Sequence, residues 1–292
     1  MIATEYDYFK DSSLSRSDLR AIHNNVEEWI AMKLGKIKPP EPSKEKVFGS
    51  ALDFYLCNGK GPDPLPKGAV MVPDEVLAKN KARSTDAYRD WLKTLPPGTP
   101  TVTSKEAEKL LAESDEQIAA FMACEEQLRS HSEAAELMFD QTALHQHVLR
   151  FTCPETGAEL RSLPDIIIPG EAIVDLKTMA DVSPMSFLRS CDRFWYDCQA
   201  AMAQFGWCDT CGDSVPVYFV CVRNAPPYDV AVYRAGESIM SAGWDRTQAA
   251  IRKYQRCSAS GNWRNDTHNV VIDLEAPTSW QYRDVFTYES EV

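Results

Sequence analysis

Apolar and polar positions alternate with a helical period through the first half of the chain and with a strand period through its middle. Residues 13–34 open with serines suited to N-capping (SLSRSDL) and continue with apolar positions at helical spacing (VEEWIAMKL), which predicts two short helices. A linker rich in proline and lysine, KIKPPEPSKEK, separates them from VFGSALDFYL, a predicted helix with one buried face. Residues 59–73 hold several prolines and glycines and predict loop, with one short strand at AVMV. STDAYRDWLKT, residues 84–94, predicts a helix, and PPGTP breaks the chain after it. Residues 104–130 predict a long helix whose charges form a solvated face, and SEAAELMF predicts a short one.

The period changes near residue 142. LHQHVLRFTC, AELRSLPDIIIP and EAIVDLKTM are three strand-like runs separated by the turn signals PETG and PG. Residues 183–207 predict a helical stretch broken near Cys191, and VPVYFVCVRN and YDVAVYRA predict two further strands flanking APP. A long helix over 236–256 and a loop-rich tail complete the pattern. Three strands, a helix and two more strands predict an α/β core with a mixed sheet. The chain is therefore expected as one continuous domain in three parts: a mainly helical 1–141, a core over 142–260 and a tail over 261–292.

Bulk composition narrows the class of protein. The 292 residues, 44% hydrophobic, are enough to bury a substantial core. No run approaches the ~20 apolar residues that span a bilayer, and MIATEYDYFKDSS has no basic start or apolar centre of a signal peptide. These features predict a soluble protein of the cytoplasm. Nine scattered cysteines fit a reducing compartment. The one CxxC pair, Cys208 and Cys211, lacks the further ligands of a zinc knuckle and reads as a turn with two incidental thiols. The net charge of −12 argues against nonspecific nucleic-acid binding. Acids nevertheless gather at 105–138 and 273–292, whereas residues 150–264 carry twelve of the chain's basic side chains, from Arg150 to Arg264, so a basic face is compatible with the total.

Chemistry concentrates in LPDIIIPGEAIVDLKTM. Asp165 interrupts one apolar run, and Asp175 and Lys177 stand two apart in the next, projecting from the same strand face. A hairpin turning at Pro169-Gly170 brings Asp165 beside Asp175. Two carboxylates beside a lysine make a hard-oxygen pocket suited to Mg²⁺. There the metal polarises a phosphate and acidifies a water, and the lysine orients that water or stabilises developing charge. A surface hairpin with an ordinary salt bridge has the same spacing. An acid within the apolar run IVDL favours the first reading, because a buried charge needs a partner.

Pro164-Asp165 followed by Asp175-Leu176-Lys177-Thr178 matches the PD-(D/E)XK nuclease signature. More narrowly, the chain resembles the RecE-type exonucleases (exodeoxyribonuclease VIII) common in phages and prophages. The likeness runs from about Leu14 to Trp280, through SLSRSDL, FGSALDFYL, RSTDAYRDWL, PETGAELRSLPD, IVDLKT, YDCQAAMA and VCVRNAPPYDVAVY in order. The resemblance implies a restriction-endonuclease-like fold, a central mixed sheet flanked by helices, with a helical N-terminal part contributing one site helix. It implies Mg²⁺, with Mn²⁺ as a substitute, held by Asp165, Asp175 and Asp53, and catalysis by Asp165, Asp175, Lys177 and Gln199. Tyr196 and Gln199 match the family's Y-x-x-Q element. Asp53 stands where relatives often carry a histidine ligand, and Gln146 where they carry a glutamate. Tyr196, Gln146, Arg161 and Thr178 are the implied substrate contacts.

The activity implied is 5′-to-3′ resection of linear double-stranded DNA for phage-type recombination in the cytoplasm of a bacterial host. A ring-like homo-oligomer threading DNA and a single-strand annealing protein as partner are implied with it. Two alternatives accompany this reading: a nuclease-fold DNA-binding protein with weakened catalysis, motivated by Asp53 and Gln146, and an endonuclease of the same superfamily.

Overall fold

The computed structural model describes residues 12–66, 69–78, 83–97 and 99–267. The predicted tail from 268 onward lies outside the described residues. Helix α1 (Arg16–Lys33) starts at a capping box, with the Ser15 side chain on the Asp18 N–H and the Asp18 carboxylate on the Ser15 N–H. Asn25 is non-helical (φ −156°, ψ 88°), so α1 consists of the two short helices predicted here, joined across a kink at that residue. Helix α2 (Lys44–Asn58) follows the linker and stops at Gly59, whose left-handed φ of 67° an L side chain would strain. Strand β1 (Val70–Met71) pairs in parallel with β2 (Thr101–Val102). Helix α3 (Asp86–Leu92) lies between them in sequence, and Val72, Leu77 and Tyr88 form a small separate core. Helices α4 (Ser104–Ser130) and α5 (Ser132–Met138) complete the N-terminal part.

The central sheet has the order β3 (Leu144–His145), β6 (Ile166–Ile168), β7 (Ala172–Met179), β8 (Val217–Arg223), β9 (Val230–Arg234). Only β7 and β8 pair in parallel, which makes the sheet mixed. The β7-to-β8 crossover carries α6 (Pro184–Phe194) and α7 (Tyr196–Cys211), and α8 (Glu237–Ser260) follows β9. Strands β4 (Leu149–Thr152) and β5 (Glu159–Ser162) pair with each other as a separate antiparallel ribbon.

Two expectations change here. The runs 144–153 and 158–169 each split between two sheets. The first breaks at Gln146, whose φ is +50°; the second breaks at Leu163-Pro164, where proline has no N–H for a ladder. The break in the helical stretch falls at Trp195, in the left-handed region at φ 62°, and Cys191 is buried within α6.

Three cores hold these layers. Leu52, Phe121, Val174, Leu176 and Val220 pack α2 and α4 on one face of the sheet. Ile173, Phe187, Trp207, Phe219 and Cys221 pack α6 and α7 on the other. Leu19, Ile22, Phe151, Leu160, Met202 and Ile251 join α1, α7, α8 and the β4–β5 ribbon. Each such side chain contributes about 1.5–3 kcal/mol by leaving water. Helices α7 and α8 meet so closely that a Cβ on Gly243 would stand 2.2 Å from the Asp197 carbonyl oxygen. Among the described residues no helix is long and apolar enough to cross a membrane.

Candidate active site

Strand β6 leaves β7 after the pair Ile166–Val174. Residues 175–179 of β7 still pair with β8 on one side but have lost β6 on the other. The Leu176 N–H faces this vacated edge, and the Asp165 carboxylate accepts it at 2.8 Å. Asp165 is thereby fixed beside Asp175 by the peeling apart of two strands.

Asp175 and Lys177 project from β7 toward α7. Gln199, in the first turn of α7, bridges them: its Nε2 donates to Asp175 Oδ1 at 2.6 Å, and its Oε1 accepts from Lys177 Nζ at 3.3 Å. Lys177 also ion-pairs directly with Asp175 Oδ2. The Tyr196 ring lies under the ammonium, 4.5 Å from its centroid to Nζ.

Helix α2 supplies the opposite wall of a cleft of about 470 Å³. Gly49, Ser50, Asp53, Phe54, Cys57 and Asn58 line it, facing Gln146, Asp165, Asp175, Leu176, Lys177 and Gln199. The close approach of α2 to β7 depends on Gly49, where a Cβ would stand 2.7 Å from Thr178 Oγ1. Gln146 enters through its left-handed backbone; its N–H donates to the Asp165 carbonyl at 2.9 Å and its Nε2 to Asp53 Oδ2 at 2.6 Å. Asp53 and Gln146, the two positions that depart from the resembled pattern, are hydrogen-bond partners.

Electrostatics here are unbalanced. Burial first, then the neighbouring Asp175 and Asp53, push the Asp165 carboxyl well above the usual carboxylate range, against the pull of Lys177 and the Leu176 N–H. Burial alone would depress Lys177, but the Asp175 and Asp165 carboxylates outweigh it and raise its pKa. With all four groups ionised, three carboxylates face one ammonium, an excess that one divalent cation neutralises.

The donors offered are carboxylate and amide oxygens, which suit a hard cation. As they stand, protein donors hold these oxygens, and among the described residues no three His, Cys, Asp or Glu side chains converge as a ready-made ligand set. Two carboxylates with the remaining positions filled by water and substrate phosphate is nevertheless the usual way Mg²⁺ is held. The residues fit such an ion on those terms.

Six residues singled out from sequence therefore share one cleft: Asp165, Asp175, Lys177, Gln199, Asp53 and Gln146. The other three implied substrate contacts do not line it. Tyr196 is packed beneath Lys177 and against Phe187 and Phe194. Thr178 is turned to Gly49. Arg161 is 4% exposed and pairs with Asp18 Oδ2 at 3.2 Å, so its guanidinium ties β5 to α1 and is not available to substrate.

His145 and His147 do not share a strand face, because β3 ends at His145 and Gln146 turns the chain. Arg223, Arg246 and Lys253 are paired with Asp229, Asp192 and Asp197, and Asp266. Sequence reasoning missed Ser50, Phe54, Cys57 and Asn58, although Ser50 and Cys57 stand three and four residues from Asp53, spacings that mark them as its helical neighbours.

Comparison with known proteins gives a family and a fold. The family model described as PDDEXK-like domain of unknown function (DUF3799) matches residues 79–270. No curated protein matches the chain. The crystal structure of a candidate exonuclease from Eubacterium rectale superposes with a TM-score of 0.61 and 16% identity, covering 99% of each chain. At that identity the likeness speaks for the fold. A phage-related exonuclease from Haemophilus somnus shares 10% identity at a TM-score of 0.33, covering 86% of this chain and 96% of that one, which is too low to argue from.

Proposed function

The chain belongs to the family of PDDEXK-like DUF3799 domains, and on that premise we propose that it hydrolyses the phosphodiester bonds of linear double-stranded DNA with a divalent cation, Mg²⁺ or Mn²⁺. The observation that carries this reading is the meeting of Asp165, Asp175, Lys177 and Gln199 at the open edge of β7. A cation held by Asp165 and Asp175, with Asp53 in reach of the same cleft, would stabilise charge on the phosphate and acidify a bound water.

The chain's own residues do the rest. Gln199 and the Tyr196 ring fix the Lys177 ammonium from two sides, so that it can hold the attacking water or a phosphate oxygen without reorganising. Gln199 at the same time fixes the rotamer of Asp175. The Asp53–Gln146 hydrogen bond sets the position of the α2 carboxylate at the mouth of the site. The sequence blocks shared with RecE-type exonucleases support the finer reading: attack from DNA ends, resection of 5′-ended strands, a homo-oligomeric ring and an annealing protein as partner.

The test is digestion of linear duplex and single strands, each labelled at one end, and of closed circular duplex followed by gel, with Mg²⁺, with Mn²⁺ and with EDTA. The reading expects Mg²⁺-dependent loss of linear duplex alone, starting from the 5′ end. Cutting of closed circles would replace the exonuclease by an endonuclease. No digestion by folded protein with either metal would leave a DNA-binding protein on a nuclease fold.

A further inference from the structure

Three arginines converge on one residue beside the active site, and nothing in the chemistry above uses them. Arg16, in the first turn of α1, donates from Nη1 to the Phe194 carbonyl at 2.7 Å. Arg20, one turn later, lies with its guanidinium carbon 5.4 Å from the centre of the Phe194 ring, and Arg193 lies 5.2 Å from it. Among the described residues none of the three has an acid within ion-pair distance, whereas Arg223 and Arg246 do. Arg20 Nε is buried without an acceptor among the described residues. Burial, and then the charges of Arg16 and Arg193, depress the Arg20 guanidinium. The cluster therefore carries repulsion that an anion would relieve.

Its position says which anion. Phe194 stacks on Tyr196 at 5.8 Å, and Tyr196 lies directly under Lys177. The Tyr196 hydroxyl feels the charges of both Lys177 and Arg16. One aromatic pair thus separates the arginines from the catalytic lysine. Guanidinium forks match phosphate oxygens in pairs, and an arginine cluster favours phosphate over a lone carboxylate.

Resting on the nuclease reading above, we propose that Arg16, Arg20 and Arg193 form a clamp for the phosphate backbone of the nucleic-acid strand that lies in the cleft. The clamp would hold that strand on the α6–α7 side of the scissile phosphate, and it supplies positive potential that the net charge of −12 conceals.

The test measures binding apart from cutting. A fluorescent linear duplex is titrated with protein in EDTA between about 50 and 200 mM salt, where each phosphate contact contributes a slope of about −0.9 in log K against log salt. The variants are the triple Arg16→Gln/Arg20→Gln/Arg193→Gln, the same three changed to Lys, exposed Arg193→Glu alone, and a control, Arg89→Gln, on α3. The Gln triple should flatten the slope by about three and weaken binding roughly several hundredfold at 0.1 M salt, by the same relation. Arg193→Glu should weaken it about tenfold or more. The Lys triple should keep most of the slope, and Arg89→Gln should match wild type.

Thermal melts confirm that each protein is folded. Should the Gln triple fail to fold, the exposed Arg193→Glu decides alone. Wild-type slope and affinity in the folded Gln triple or Arg193→Glu, or an equal loss in Arg89→Gln, would overturn the clamp. Digestion by the same preparations separates the two readings. Cutting by wild type with binding unmoved by the variants sinks the clamp and leaves the nuclease standing. Neither cutting nor binding by wild type sinks both.

Discussion

Replacing Gly243 by alanine puts a methyl group where α8 crosses the start of α7. The added Cβ would stand 2.2 Å from the Asp197 carbonyl oxygen, 2.3 Å from its carbon and 2.8 Å from the Cys198 nitrogen. Ordinary van der Waals contact begins at 3.4 Å, so the overlap is about an ångström, and it falls on backbone that cannot rotate away. Alanine gains about 1 kcal/mol of helix propensity over glycine. Forcing well-packed elements apart costs about 1–3 kcal/mol, and an overlap with backbone on this scale belongs at the upper end. The net loss is about 2 kcal/mol, which lowers the melting temperature by roughly 3 °C in a chain of this size. The displaced backbone immediately precedes Gln199, so digestion measured well below the melt should slow as well. Scanning fluorimetry and an end-labelled digestion assay read the two effects. An unchanged or raised melting temperature would refute the close approach of α7 and α8.

Three more predictions concern single side chains. Asp165→Asn should abolish digestion yet stabilise the fold: a carboxyl whose folded pKa is raised binds more protons folded than unfolded, so wild-type stability falls as pH rises above the ordinary value of 3.8 and levels off above the folded value. Melts across pH should show that decline in wild type and its absence in the variant; an equal decline in both would count against the buried, like-charged setting of Asp165. Asp18→Ala should cost about 3–5 kcal/mol by breaking the ion pairs to Arg161 and Lys33 and the hydrogen bonds from Ser15 and Trp29. Burial works to raise the Asp18 pKa, but those hydrogen bonds outweigh it and leave it lowered, so its stabilisation is present above pH 3.8 and is lost as pH falls through the lowered value; urea unfolding at neutral and acid pH checks both statements. Gln199→Ala should lower the turnover of duplex by about 10²-fold or more with little change in duplex affinity, because it frees Lys177 and Asp175 from their shared bridge; a wild-type rate would remove Gln199 from the site.

The sequence made the chemistry legible more readily than its surroundings. Asp165, Asp175 and Lys177 could be paired from period and turn alone, because a two-residue repeat fixes which side chains share a face and Pro169-Gly170 fixes the turn. What period cannot report is where a strand changes sheets. Gln146 and Leu163-Pro164 end one ladder and begin another, and that switch opens the edge of β7 on which the site depends. Arg161 illustrates the other limit. It sits in a motif-bearing segment and reads as a substrate contact, but its partner Asp18 is 143 residues away in sequence. The arginine cluster at Phe194 was hidden for the same reason, since Arg16 and Arg20 lie near one end of the chain and Arg193 well beyond its middle. The resemblance brings Asp53 of α2 to the site, and the packing of Gly49 on Thr178 shows how the helix comes close enough for its Asp53 face to line the cleft.

The most direct test of the central claim compares wild type with Lys177→Ala on end-labelled linear duplex in Mg²⁺, with duplex binding measured on the same preparations in EDTA. Lys177 is chosen because it contacts both Asp175 and Gln199 at the centre of the cluster. The account predicts Mg²⁺-dependent digestion by wild type, a loss of about 10²–10³-fold in the variant, and binding retained within about tenfold, the share of one phosphate contact. Digestion by Lys177→Ala at the wild-type rate would mean that this cleft is not where the phosphodiester is cut.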